Sequence, residues 1–410
     1  MHRIPSWLIL KTFKNRREQV EPQGAAQRAT RHTNNVGEER ASTQRRRSSA
    51  QQVIKGFLLV AALYVSSPAY ATDEPPAGAE KPEPHIALLL PLKSEAFGRA
   101  AEAVQQGFMT AANYQPLPLP MPVRVYGCLD ESKDIAALYR HAIENGARAV
   151  AGPLTRDGVA ALAASAVISV PTLALNTSDA KGTDKLYFFG MSAEAEARQA
   201  AQLAAAAGLR NASIVSTETP LSMRLSQAFA EEWRKLGGSI ATKILYHDDP
   251  EKLAGLPEEP GSMVFLAADA KTARLIHPYL SIALPVYATS QLFNGDADTL
   301  TNYDLNNTRF VDMPWILQPD HPAVMIYPRA NPPLEADMER LYALGVDAFR
   351  LLQIMLDNTY RTALPLDGVT GLIRLNNNHQ FQREATPALI KQGRSQLLEP
   401  KLPPATPHNP

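Results

Sequence analysis

From Ile86 onward the chain repeats one rhythm: a short apolar run, a polar turn, then a longer amphipathic stretch. Ile86–Leu90 is a predicted strand and Gly98–Tyr114 a predicted helix, with apolar residues three and four apart. Val123–Cys128, Ala149–Ala151, "VPTLALN" and "KLYFFGM" extend the strand series, and Ile135–Asn145 and Gly158–Val167 extend the helices. Strands that read as continuous apolar runs between helices belong to a parallel sheet covered on both faces. The rhythm restarts near Phe189–Ser192, with an Ala-rich helix Ala193–Ala207 ended by Gly208, then "ASIVST". A helix over Ser222–Leu236 stops at Gly237-Gly238, and strands Ile240–Tyr246, "SMVFLAA" and "LPVYATS" frame a helix Ala270–Tyr279. The expected fold is α/β, with two Rossmann-like lobes joined by several crossovers.

Lobe 1 is placed at 86–192 with a return segment at about 316–360, and lobe 2 at 193–308 with a C-terminal segment at about 365–395. The return carries a long helix, Leu334–Leu356, and "GVTGLIRLNNNHQFQRE" reads as a hairpin around an Asn-rich turn. Residues 396–410 are expected to be a disordered tail.

Charge separates the front of the chain from its body. The formal net charge is zero, but residues 1–71 carry 12 Lys/Arg against 4 Asp/Glu, leaving 29 basic and 37 acidic residues afterwards. An acidic body argues against nucleic acid as a partner. Residues 1–55 read as a disordered basic leader. In 56–71 an apolar run follows Arg45 to Arg47 and Lys55 and precedes Ala69-Tyr70-Ala71, the three parts of a secretory signal. The run is short for a membrane span, so no transmembrane span is expected in the mature chain, although an uncleaved signal that anchors it is the alternative. Residues 72–85 form a Pro-rich tether. Cys128 is the single cysteine, read as a buried structural thiol, and no cysteine stands at the cleavage site, so lipid anchoring at that point is not expected. These features place the mature chain in a periplasm.

The motifs resemble the type I periplasmic-binding-protein fold over Ile86 to Arg383. "IALLLPL…FGRAAEAVQQGF" resembles its first βα unit, "AVAGPLTRDGVAAL" the third strand and loop, and "VPTLALNTSD" the fourth. "LYFFGMSAEAEARQAA" resembles the first interlobe crossover and "LDGVTGLIRL" the closing segment. Within that fold, "VYATSQLFNGD…RFVDMPWIL" and "ERLYALGVDAFRL" are similar to the penicillin-binding-protein activator (LpoA/LppC lipoprotein) family.

Ligands of open α/β sheets sit at the carboxyl ends of strands. Those ends supply Ser94, Phe97, Thr155, Arg156, Asn176, Thr177 and Ser178 in the first lobe, and Ser216, Thr217, Asp269, Ser290 and Gln291 in the second. Two readings stand: the hydroxyls and amides around Thr155 and Asn176 receive an anion, or they are helix caps and turns. Resemblance to amino-acid-binding members implies a hydroxyl pair for the ligand carboxylate, which Thr155 and Thr177 match. The counterpart for the ammonium group is missing, because "STETPLSMR" and Gln291 stand where an acid and an aromatic are expected, and a buried ammonium without a counter-charge is costly. Neither Gly-x-Ser-x-Gly, a Walker A sequence nor HExxH is present, so catalytic residues, metal and cofactor are all expected to be none.

Outside the cleft, Arg309 to Pro333 is the unusual stretch, with Met313, Trp315, Met325 and Tyr327 among prolines. Either these pack between the lobes or they form a partner-binding surface. The family resemblance implies a non-enzymatic regulator that contacts a bifunctional penicillin-binding protein, a peptidoglycan synthase. A small polar ligand or a muropeptide is the occupant the cleft would take. The alternative is a solute-binding protein of an ABC-type uptake system for an amino acid or small polar ligand.

Overall fold

The computed structural model describes residues 82–398, except 116–120, 178 and 297–298. The basic leader, the signal run, most of the tether, Ser178 and the end of the tail lie outside the described residues.

The first sheet contains β1 (His85–Leu90), β2 (Val123–Gly127), β3 (Ala147–Ala151), β4 (Thr172–Ala174) and β5 (Leu186–Phe189), all parallel, in the order β2-β1-β3-β4-β5. Every residue of β1 is buried, and its alternation feeds two cores. Ile86, Leu88 and Leu90 face α1 (Gly98–Asn113), while Ala87 and Leu89 face α2 (Glu131–Glu144) and α3 (Arg156–Ala164). His85, assigned to the tether from sequence, is already inside β1, where its ring donates to the Glu83 carbonyl and accepts from the Tyr126 hydroxyl.

The second sheet contains β6 (Asn211–Ser216), β7 (Ser239–Leu245), β8 (Ser262–Ala267), β9 (Val286–Tyr287) and β10 (Thr308–Asp312), parallel in the order β7-β6-β8-β9-β10. Its helices are α4 (Ala193–Ala206), α5 (Pro220–Lys235), α6 (Ala270–Ile276) and the short α7 (Thr299–Asn302). Four alanines of α4, Ala197, Ala200, Ala201 and Ala204, join Phe229 and Trp233 of α5 in one core.

After β10 the chain returns to the first lobe through α8 (Pro314–Leu317), α9 (Pro322–Met325), the long α10 (Ala336–Asp357) and α11 (Tyr360–Ala363). The packing of α10 on α1 is close because glycines face backbone: a Cβ at Gly345 would lie 2.2 Å from the Val104 carbonyl oxygen, and one at Gly107 would lie 1.8 Å from that of Tyr342. The closing strands are β11 (Leu366–Gly368), β12 (Gly371–Leu375), β13 (Gln380–Glu384), β14 (Thr386–Lys391) and β15 (Arg394–Leu397).

Here the structure corrects the sequence reading. Residues 365–395 do not all belong to the second lobe: β13 pairs parallel with β5, so β11, β12 and β13 complete the first sheet. Only β14 and β15 join the second sheet, antiparallel to β10 and to each other. Residues 396 and 397, read as tail, are paired in β15. Two Rossmann-like lobes are thus joined by three crossovers, at Gly190–Ser192, Met313 and Ala385.

Candidate functional site: the cleft between the lobes

In the first lobe, the loop between β3 and α3 is the natural anion receiver. Thr155 is the N-cap of α3 and its Oγ1 accepts from the Gly158 amide at 3.1 Å. The receiver is already filled from within. Glu131, the first residue of α2 and 2% exposed, accepts from the Leu154 amide (2.9 Å), the Thr155 amide (2.6 Å) and the Thr155 hydroxyl (2.7 Å). Burial raises the Glu131 carboxyl, and those same donors pull against it. Thr155 is therefore a cap bound to an internal carboxylate, and these amides do not stand open for a ligand.

Asn176 is also a structural brace. Its Nδ2 donates to the Leu154 carbonyl at 2.8 Å and its Oδ1 accepts from the Thr177 amide at 2.9 Å. Ser94 Oγ accepts from the Phe97 amide at 3.4 Å, and the Phe97 ring is half exposed.

Arg156 reaches across the cleft. Its guanidinium donates to both oxygens of Glu194 in α4, at 3.1 and 3.2 Å, and Arg224 of α5 binds the same carboxylate at 2.8 Å. Burial alone would raise Glu194, but its own backbone amide, Arg224, Arg156 and Ser192 outweigh that and hold it at about 2.

The second-lobe candidates are mostly engaged locally. The Thr217 amide donates to Ser222 Oγ at 2.7 Å and its hydroxyl pairs with Thr219 at 3.1 Å. Ser216 Oγ donates to the Ile244 carbonyl at 3.5 Å. Asp269 caps α6, accepting from the amide and hydroxyl of Thr272 at 2.9 and 3.0 Å. Ser290 is buried and gives its amide (3.1 Å) and hydroxyl (2.7 Å) to Glu196, with Gln291 half-buried beside it.

Glu196 opens a network that the sequence reading missed. Arg383 of β13 pairs with it, and both side chains are nearly fully buried. Arg340 of α10 donates to Asp312 of β10 at 2.6 Å and to the carbonyls of Ser290 (3.1 Å) and Phe293 (2.7 Å). Gln199 of α4 exchanges two hydrogen bonds with the backbone of Ala385 in the third crossover, at 2.6 and 3.0 Å. Charges from both lobes therefore meet at the crossovers with water excluded. A signal for them existed: Glu196 shares the helix face of Ala200 and Ala204, and Arg340 that of Ala343 and Leu344, so each is a charge beside buried apolar positions.

The segment Arg309 to Pro333 is also corrected. Met313 and Trp315 are fully buried and Tyr327 nearly so, so these three are core residues; Met325 faces solvent. The Trp315 indole lies between the Arg329 guanidinium, 3.9 Å from the ring centroid, and Tyr342, and donates to Glu339 at 2.6 Å. Among the described residues no group of His, Cys, Asp and Glu is placed to hold a metal ion, and no helix is long and apolar enough to cross a membrane.

Comparison with known proteins matches this architecture. Two proteins called "Penicillin-binding protein activator LpoA" are similar to the chain: that of Haemophilus influenzae is 26% identical over 73% of this chain and 53% of its own length, and that of Glaesserella parasuis is 27% identical over 73% and 52%. The chain spans about half the length of these curated relatives. Among solved structures, "LpoA (YraM) C-domain from Haemophilus influenzae, a regulator of PBP1A" superposes with a TM-score of 0.64 at 24% identity, covering 77% of this chain and all of that one, which shows the fold alone. A Chromobacterium violaceum structure described as "a putative branched-chain amino acid ABC transporter" superposes with a TM-score of 0.65 at 36% identity, covering 75% of this chain and all of that one. The profile of the family described as "LppC putative lipoprotein" matches residues 79–258 and 257–393, and the chain belongs to that family.

Proposed function

We propose that the chain is a periplasmic regulator, without catalysis of its own, that activates a bifunctional penicillin-binding protein by direct protein contact. The observation that carries this reading is Glu131: the amides and hydroxyl suited to a ligand carboxylate hold an internal one. Arg156, the cation nearest that loop, is engaged by Glu194. A cleft furnished in this way is a poor anchor for a free amino acid, which moves the function to the outer surface. The name of the curated relatives supports the same reading.

The second reading, a solute-binding protein, is favoured by the 36% identity to the Chromobacterium violaceum structure. Co-sedimentation of the purified chain with a purified bifunctional penicillin-binding protein, beside calorimetric titration with leucine, separates the two. A stable complex and no heat with leucine is the expected result. Saturable leucine binding by a chain that sediments alone overturns the proposal.

A further inference from the structure

Between α11 and β12, near the β11 edge of the first sheet, Tyr360, Arg361, Leu364, Pro365, Arg374 and Leu375 line one cavity of about 340 Å³. That volume is near the lower end of the range of about 300–1,000 Å³ usual for small-molecule sites. None of the six belongs to the cleft: β12 starts at Gly371, against Glu384 and Ala385 of the third crossover, and carries Arg374 and Leu375 away from it. The apolar wall is fixed from behind. Tyr360 stacks on Tyr187 with ring centroids 5.9 Å apart, and Tyr187 stacks on Phe381 at 5.8 Å. Tyr360, Leu364 and Leu375 are half-buried against the first-lobe core.

The charge in the cavity has one sign. Both charged residues of the lining are arginines, and the lining holds no carboxylate. Arg374 pairs with Glu384 at 2.9 Å, but both side chains are more than half exposed, so water competes for that guanidinium. Arg361 is exposed and makes no hydrogen bond or ion pair among the described residues, Asp357 four positions earlier included. The neighbouring acids Asp184 and Asp367 face His379 and His321 instead. One guanidinium is thus in excess beside an apolar wall. A guanidinium is a planar fork that matches a carboxylate, and Leu364, Pro365 and Leu375 suit a small apolar side chain next to it. We infer that this cavity binds the terminal carboxylate of a short peptide with small apolar side chains. The inference goes beyond the function proposed above, and its test needs no partner protein.

The test is calorimetric titration of the full chain with alanyl-alanine, with the C-terminal amide of that dipeptide and with inorganic phosphate. Saturable binding of the dipeptide and none of the amide is the expected result. Arg361→Gln and Arg374→Gln are each expected to weaken the dipeptide about tenfold or more, the loss of a charge-assisted hydrogen-bonding pair. Glu384→Gln frees Arg374 and is expected to tighten binding. Arg224→Gln alters a cleft guanidinium instead and is expected to bind within about twofold of wild type. Binding lost in Arg224→Gln and kept in Arg361→Gln places the carboxylate in the cleft and overturns the inference. Equal binding of the amide, or no heat with the dipeptide, overturns it too. Phosphate binding more tightly than the dipeptide assigns the cavity to a phosphate group and overturns the peptide.

Discussion

Glu196 and Arg383 stand 187 residues apart in the chain and pair at the junction of the two lobes, one from the first turn of α4 and the other from β13. Ser290 donates to the same carboxylate, so the pair is satisfied on the second-lobe side as well. Removing one partner of a buried ion pair strands the other in a medium that cannot solvate it. Any rotation that parts α4 from β13 meets that cost, and a ligand could drive it only through a matching difference in affinity for the two states. A lobe movement that breaks this pair is therefore costly.

Substituting one member of that pair exposes the cost directly. Glu196→Ala is expected to lower unfolding stability by about 3–5 kcal/mol, because Arg383 remains buried without its counter-charge. Urea unfolding of the variant against wild type measures it; a loss below ~1 kcal/mol would show that water replaces the carboxylate.

The ion pair across the cleft has a pH signature. Glu194 is held at about 2 in the folded chain, below its ordinary value of 4.5, so its contribution is present above pH 4.5 and is lost as pH falls toward 2. After discounting for the half-exposed Arg156 and Arg224, the contribution is on the order of 2 kcal/mol. Between pH 6 and pH 3 the stability gap between wild type and Glu194→Gln is expected to narrow. A gap that stays constant would remove the electrostatic account.

Vacating the first-lobe anion receiver turns an internal contact into a binding site. Glu131→Ala leaves the Leu154 and Thr155 donors without their carboxylate, an expected loss of about 3 kcal/mol. Acetate at high concentration is expected to raise the variant's Tm and leave wild type unchanged, since a ligand that binds only the folded state stabilises it. Equal response of the two proteins would mean that Glu131 does not occupy an anion site.

The helix pair of the first lobe has no room for a methyl group. Gly345→Ala forces α10 away from the Val104 carbonyl and is expected to cost ~2 kcal/mol, read as a lowered Tm with the lobe-two core unaffected. Near-neutral stability would show that α10 shifts freely on α1.

The periodicity of short apolar runs made the two parallel sheets and the first crossover legible, because a strand buried on both faces has a composition that its sequence alone displays. The hairpin at β12 and β13 was legible as a hairpin, yet not as part of the first sheet, since local turn chemistry does not say which sheet edge receives it. For Trp315 and Met313 the sequence left packing and partner surface both open because no periodic element carries them; in the structure both are fully buried, Trp315 against Arg329 and Tyr342. At the cleft, the polar residues after the strands were legible, but their partners Glu131, Glu194 and Glu196 come from other elements, and local pattern does not say which residue meets which across 24, 38 and 94 residues.

The most direct measurement is the rate of glycan polymerisation by a purified bifunctional penicillin-binding protein with and without the purified chain. A saturable, severalfold rise, undiminished by added leucine, is the predicted result. An unchanged rate, together with a leucine-dependent decrease in the chain's radius of gyration, would contradict the regulatory role and favour a solute binder.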